Sequence, residues 1–198
     1  MTFPRTDPHR GAPSAAIWLA LALLASSAIG QSLPPPPAKP CESSEHRQFD
    51  FWVGDWDVVP NPDTRTAAAP PPGRKPARNL IEKAHSGCVV IENWDDGTGG
   101  TGQSFNVYDR SRQRWHQTWV DNGGGLHQYW GGFKDNRMVL EGEVPLPPGA
   151  RFQGRRTVRV SFIPMGPDKV RQFSESLNVD GTWGVNYDLI YTRRAKTK

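Results

Sequence analysis

Along most of the chain, apolar and polar residues alternate in short runs. Glycine, asparagine, aspartate and proline separate those runs. Period-two alternation marks a strand with one buried face, and recurrence every three or four residues marks a helix. The runs predict strands over Trp56–Val59, Leu80–Ser86, Cys88–Asp95, Gln103–Asp109, Arg114–Asp121, Leu126–Phe133, Arg137–Val144, Thr157–Ile163, Val170–Val179 and Trp183–Arg193. "DNGGG", Asp121–Gly125, and Asp180–Gly181 carry the Asn-Gly and Asp-Gly signals of hairpin turns. Helical spacing occurs once, in "ESSEHRQFDFWV", where Phe49, Trp52 and Val53 share a face, Ser43 or Ser44 is placed to cap, and Gly54 breaks the run.

Strands joined in order by short turns form an up-and-down sheet. Ten of them in the open leave two exposed edges, which closure into a barrel removes. A two-sheet sandwich is the rival arrangement, and meander connectivity favours the barrel. The expected fold is therefore all-β, a roughly ten-stranded antiparallel barrel with a short N-terminal helix. A barrel of this size has room for one small ligand. One connection breaks the economy of the rest. "PNPDTRTAAAPPPGRKPARN", residues 60–79, is a Pro/Ala-rich insertion whose composition predicts disorder or a flap over one barrel mouth.

The ends modify this picture. Arg5 and Arg10 precede an apolar, charge-free run over Ser14–Gly30. That run has the flanks of a secretory signal, with small Ala28 and Gly30 placed for cleavage before Gln31. It is shorter than the roughly 20 apolar residues of a spanning helix. Residues 1–30 are therefore expected to be a signal peptide and 31–40, with four consecutive prolines, a stiff linker. Residues 41–194 form the barrel domain and 195–198 a basic tail. The expected address is periplasmic or secreted, with no membrane insertion of the mature domain. Net charge is +4, with Lys and Arg scattered along the chain. No concentrated basic face points to nucleic acid. Two cysteines, Cys41 and Cys88, form an even pair in an exported chain and are expected to bond. Without a Cys-x-x-Cys spacing, redox catalysis has no support.

The stretch "HRQFDFWVGDWDV" and the pieces "GCVVIENW", "GTGQSFNVYD", "RWHQTWVD", "MVLEG", "VRQFSES" and "DGTW" follow one another in order within the span Glu45 to Tyr191. Together they resemble the DUF1579-type lipocalin-like (calycin) family of bacterial exported proteins. Residues 60–79 depart from its pattern. Gly54-x-Trp56 is similar to the Gly-x-Trp of lipocalin-like barrels. The resemblance implies that Phe51, Trp52, Gly54 and Trp56 form a structural plug at the closed end, not a ligand contact. It implies a fold and no particular reaction.

Period two places i and i+2 on one strand face. Read with the family pattern, Glu92, Trp94, Ser104, Asn106, Gln117 and Trp119 face the lumen. Arg171 joins them as a ligand-binding candidate, paired internally with Glu175. Aromatic walls with a few hydrogen-bonding groups suit a small, largely apolar molecule. The same polar residues could instead satisfy one another in a filled barrel. Three readings result: a binder of a small apolar molecule, an enzyme using a buried Glu92 as acid or base, and a structural envelope protein. No catalytic residue is assigned. Ser104, His116 and Asp121 invite a triad, but Ser104 lacks the Gly-x-Ser-x-Gly turn. His46, His85, His116 and His127 lie on separate elements without metal-ligand spacing, so no metal is expected. Haem-binding barrels of the nitrobindin kind, similar in outline, carry their iron ligand late in the chain. No histidine follows His127, so no cofactor is expected.

Overall fold

The computed structural model describes residues 40–64, 73, 75–146 and 154–195. The expected signal peptide, the linker up to residue 39, residues 65–72 and 74 of the insertion and the last three residues of the basic tail lie outside them. Among the described residues, ten antiparallel strands close into a barrel. They are β1 (Gly54–Pro60), β2 (Ala77–Ala84), β3 (Val89–Asp95), β4 (Thr101–Asp109), β5 (Arg114–Asp121), β6 (Leu126–Lys134), β7 (Arg137–Pro145), β8 (Arg155–Pro164), β9 (Lys169–Leu177) and β10 (Trp183–Arg193). Each strand pairs with its neighbours in sequence, and β1 closes the ring on β10 with Trp56 opposite Arg193 and Pro60 opposite Leu189. Closure leaves no free edge, as the up-and-down order predicts.

Most strand boundaries fall within two residues of the pattern reading, and three differences bear on the fold. β2 begins at Ala77, three residues inside the expected loop, because Ala77 pairs with Val58 and continues the ladder. β9 ends at Leu177, and Val179 sits in the turn. Asn178 N–H donates to Thr182 O at 2.8 Å, and Asp180 accepts from Thr182 N–H at 2.9 Å, so this connection is an Asx-type turn longer than a two-residue hairpin. The expected single helix is two 3-10 turns, Glu45–Arg47 and Asp50–Trp52. The backbone leaves helical geometry at Phe49 (φ −104°, ψ 5°), and this bend drives both Phe49 and Trp52 inward.

Those two turns cross one end of the barrel and close it. Phe49, Trp52 and Trp56 are fully buried. Phe49 packs edge-on to Phe162 at 5.1 Å, Trp52 lies 4.6 Å from Phe162, and Trp115 lies 5.3 Å from Phe49. Such ring pairs add attraction beyond the area they bury. Phe51 remains partly exposed and covers Phe133 at 6.0 Å. Trp56 Nε1–H donates to Trp52 O at 2.9 Å, and the Arg193 guanidinium lies 4.1 Å from the centre of the Trp56 ring. Gly54 (φ +151°) makes this possible: a Cβ there would stand 2.0 Å from Arg193 Nη1. The acids threaded among the aromatics point outward into ion pairs, Asp55 with Arg78 at 2.8 Å, Asp57 with Arg194, and Asp50 with Lys83. Cys41 and Cys88 are bonded, tying the start of the domain to the entry of β3 across 47 residues.

Candidate functional site: a one-ended lumen

With one end plugged, the inward faces of the strands enclose a cavity of about 500 Å³ that opens at the other end. Its position follows from strand direction. β1 leaves the plug, so the late residues of β1, β3, β5, β7 and β9 and the early residues of the even strands surround the mouth. Trp94, Trp119, Tyr129, Tyr187 and Tyr191 supply aromatic wall, and Val144, Val158, Val160 and Leu189 aliphatic wall.

The predicted lumen residues fall into three places. Glu92, Trp94, Gln117 and Trp119 line the cavity. Ser104 and Asn106 face inward but lie beneath its surface, fully buried. Arg171 does not face the lumen: it sits on the outer face of β9. There its guanidinium grips Asp188 with two hydrogen bonds of 2.9 and 2.8 Å and stacks over Phe173 at 4.8 Å. Glu175, its expected partner, lies 3.4 Å from Arg159 instead. The alternation of β9 is thus one residue out of phase with the pattern reading. Val170, Gln172, Ser174 and Ser176 are the inward set, because positions beside an open cavity accept polar side chains that a filled core would reject.

The polar residues form one directed network across the lumen floor. Gln117 Nε2 donates to Asn106 Oδ1 at 2.8 Å, and Asn106 Nδ2 donates to Ser104 Oγ at 2.9 Å. Ser104 Oγ–H donates to Glu92 Oε2 at 2.7 Å. From the other side Asn79 Nδ2 donates to Glu92 Oε1 at 2.7 Å and to Tyr191 OH at 3.1 Å, and Tyr191 OH donates to Gln172. Glu92 is 3% exposed. Burial pushes its carboxyl up, and the hydrogen bonds from Ser104 and Asn79 draw it part of the way back. Burial also raises Tyr191, and the nearby Glu92 charge adds to that.

Nearer the mouth the character changes. His127, Tyr129 and Arg156 line the cavity there. Burial lowers the His127 imidazole against the opposing pull of Asp121, and pushes the Tyr129 hydroxyl up to about 12. Trp119 is held in place from both sides. Its Nε1–H donates to Asp121 Oδ2 at 2.9 Å, and its ring fills space that a Cβ at Gly102 would contest at 2.3 Å.

No model of a known protein family matches this chain, and no curated protein sequence does either. The chemistry open to the site rests on its own geometry. Ser104, His116 and Asp121 do not converge. Ser104 points into the barrel, whereas His116 stacks on Trp130 at 4.0 Å and contacts Thr118 Oγ1 at 2.8 Å on the outer face. That arrangement excludes proton transfer between them. Among the described residues, no group of three His, Cys, Asp or Glu side chains is placed to hold a metal.

Pattern reading missed Asn79, His127, Tyr129, Arg156, Gln172 and the β10 contribution. For β8 the alternation Arg156, Val158, Val160, Phe162 was available and identifies the inward face. β10 carries a bulge between Val185 and Tyr187, which brings both Asn186 and Tyr187 to the cavity. A bulge interrupts period two and leaves no mark in the residue types.

Proposed function

We propose that this protein is an exported lipocalin-like carrier that binds one small, largely apolar molecule in its lumen. The observation that carries the reading is the one-ended cavity of about 500 Å³, walled by aromatic rings over a polar floor. Its volume lies within the roughly 300–1,000 Å³ range of small-molecule sites. A purely structural barrel would be expected to fill that volume, since protein interiors pack densely and hold few voids larger than a water molecule. The motif resemblance from Glu45 to Tyr191 supports membership of the DUF1579-type lipocalin-like family. The Cys41–Cys88 bond supports an oxidising compartment such as the periplasm.

The test is native mass spectrometry of protein purified from its own envelope fraction. A co-purified small molecule, lost on denaturation, is the expected result. An intact mass beginning at Gln31 checks the export route. Protein that arrives bare and fails to take up the neutral lumen dye N-phenyl-1-naphthylamine would overturn the reading.

A further inference from the structure

The floor of the lumen presents a carboxyl without a counter-ion, and a recognition role for that carboxyl rests on the lumen-binding reading. Both oxygens of Glu92 are held by neutral donors, Asn79 and Ser104. No Lys, Arg or His side chain among the described residues pairs with it. Donors run from Gln117 through Asn106 and Ser104 to Glu92, with Asn79 donating from the opposite side. Such a convergence fits an acceptor-only, ionised carboxylate. Ser104 Oγ already accepts from Asn106 Nδ2 at 2.9 Å and from Gln117 Nε2 at 3.4 Å, which leaves its proton for Glu92 and no free acceptor there for a protonated carboxyl. A buried carboxylate with no cation is costly, and a cation carried by a ligand would offset that cost. Trp94, Trp119, Tyr129, Tyr187 and Tyr191 line the same cavity, and ring faces attract a desolvated cation. Arg156 also lines the cavity, but as the second residue of β8 it stands at the mouth end. Its charge discourages a cation at the rim and leaves the floor to Glu92.

We propose that the lumen selects an organic amine, with its apolar body against the aromatic wall and its ammonium on Glu92. Tryptamine, the neutral 3-ethylindole and the acid indole-3-propionate share one ring system and differ in the end group. Each is titrated by calorimetry into the full mature chain, and displacement of N-phenyl-1-naphthylamine reports lumen occupancy. Tryptamine is expected to bind at least about tenfold more tightly than 3-ethylindole, with indole-3-propionate the weakest. In Glu92→Gln the ratio of tryptamine to 3-ethylindole is expected to fall to about one. The wild-type ratio is decisive even where that variant fails to fold. Equal displacement of the dye by all three compounds overturns the amine inference and leaves the carrier reading standing. A preference for the acid overturns it in favour of Arg156 as the recognition group. Absence of binding by the dye and by every probe overturns both.

Discussion

Trp56 and Arg193 lock the closed end of the barrel where its first and last strands meet. The ring is fully buried, its N–H is satisfied by Trp52 O, and the guanidinium above it also donates to Val53 O at 3.0 Å. Trp56→Ala leaves a cavity and an unstacked cation, and is expected to cost about 3–5 kcal/mol in urea unfolding. Ligand affinity in the folded fraction should stay unchanged, since Trp56 does not line the lumen. Glu92 makes a prediction of opposite sign. Its carboxyl is held above the ordinary value of 4.5 by burial. The stability it contributes is therefore complete below the unfolded value and is lost as pH rises through the folded one. Glu92→Gln should raise the melting temperature relative to wild type at pH 8, with the gain vanishing at pH 4. A gain that is constant across that range would show that Glu92 does not titrate from a raised value. At this scale the sequence disclosed residues whose types are unusual for their face. Glu92 stands out after the apolar run Cys88–Ile91, Gln117 shares its face with Trp115 and Trp119, and the Gly-x-Trp spacing marks the plug. Arg171 was not legible in this way, because a long cationic side chain flanking a phenylalanine fits either face of β9. Its true partner, Asp188, lies 17 residues away on the next strand.

The strands themselves were legible because nearly all connections are short and begin with turn residues. Their curvature was not. Gly131 on β6 and Gly142 on β7 face inward where the two backbones approach each other's neighbours. A Cβ at Gly131 would stand 1.9 Å from Val139 O, and one at Gly142 would stand 2.0 Å from Gln128 O. Glycine at such points lets a barrel turn a corner. Gly142→Ala is expected to destabilise by about 1–3 kcal/mol. It should also move the Tyr129 ring, whose Cδ1 would lie 3.1 Å from the added carbon. Chemical denaturation reads the first effect and Tyr129 side-chain NMR shifts the second. The two 3-10 turns depend on a different restraint. They contribute few backbone bonds and hold position through buried rings and the Cys41–Cys88 bond. Removing that bond with paired serine substitutions should cost about 2–4 kcal/mol. Increased hydrogen exchange at residues 45–52 would show the loss concentrated in the plug.

For the molecule as a whole, closure and plugging together decide what the lumen can be. A barrel closed on itself, stoppered by aromatics at one end and lined with mixed groups at the other, concentrates its packing near the plug. The opposite half stays hollow. That division explains how the fold could be read from alternation alone while the state of the lumen could not. Inward positions near the plug are Trp56, Phe162, Met138 and Val170, all apolar. Inward positions near the mouth mix Trp94 and Val144 with His127, Arg156 and Asn186, and period-two reading treats such a mixture as ambiguous. It also predicts that stability and binding are separable. Val158 lines the cavity away from the plug and faces the small Ser176 on β9. Val158→Trp should occupy the lumen and abolish uptake of N-phenyl-1-naphthylamine, because the added ring takes the volume that a ligand would fill. Since no side chain of the described residues fills that volume, the overpacking cost of about 1–3 kcal/mol seen in filled cores should not be incurred, and cooperative unfolding should be retained. A variant that unfolds instead would mean that this half of the barrel is packed as tightly as the plug, and a variant that still takes up the dye would place the binding site outside the lumen.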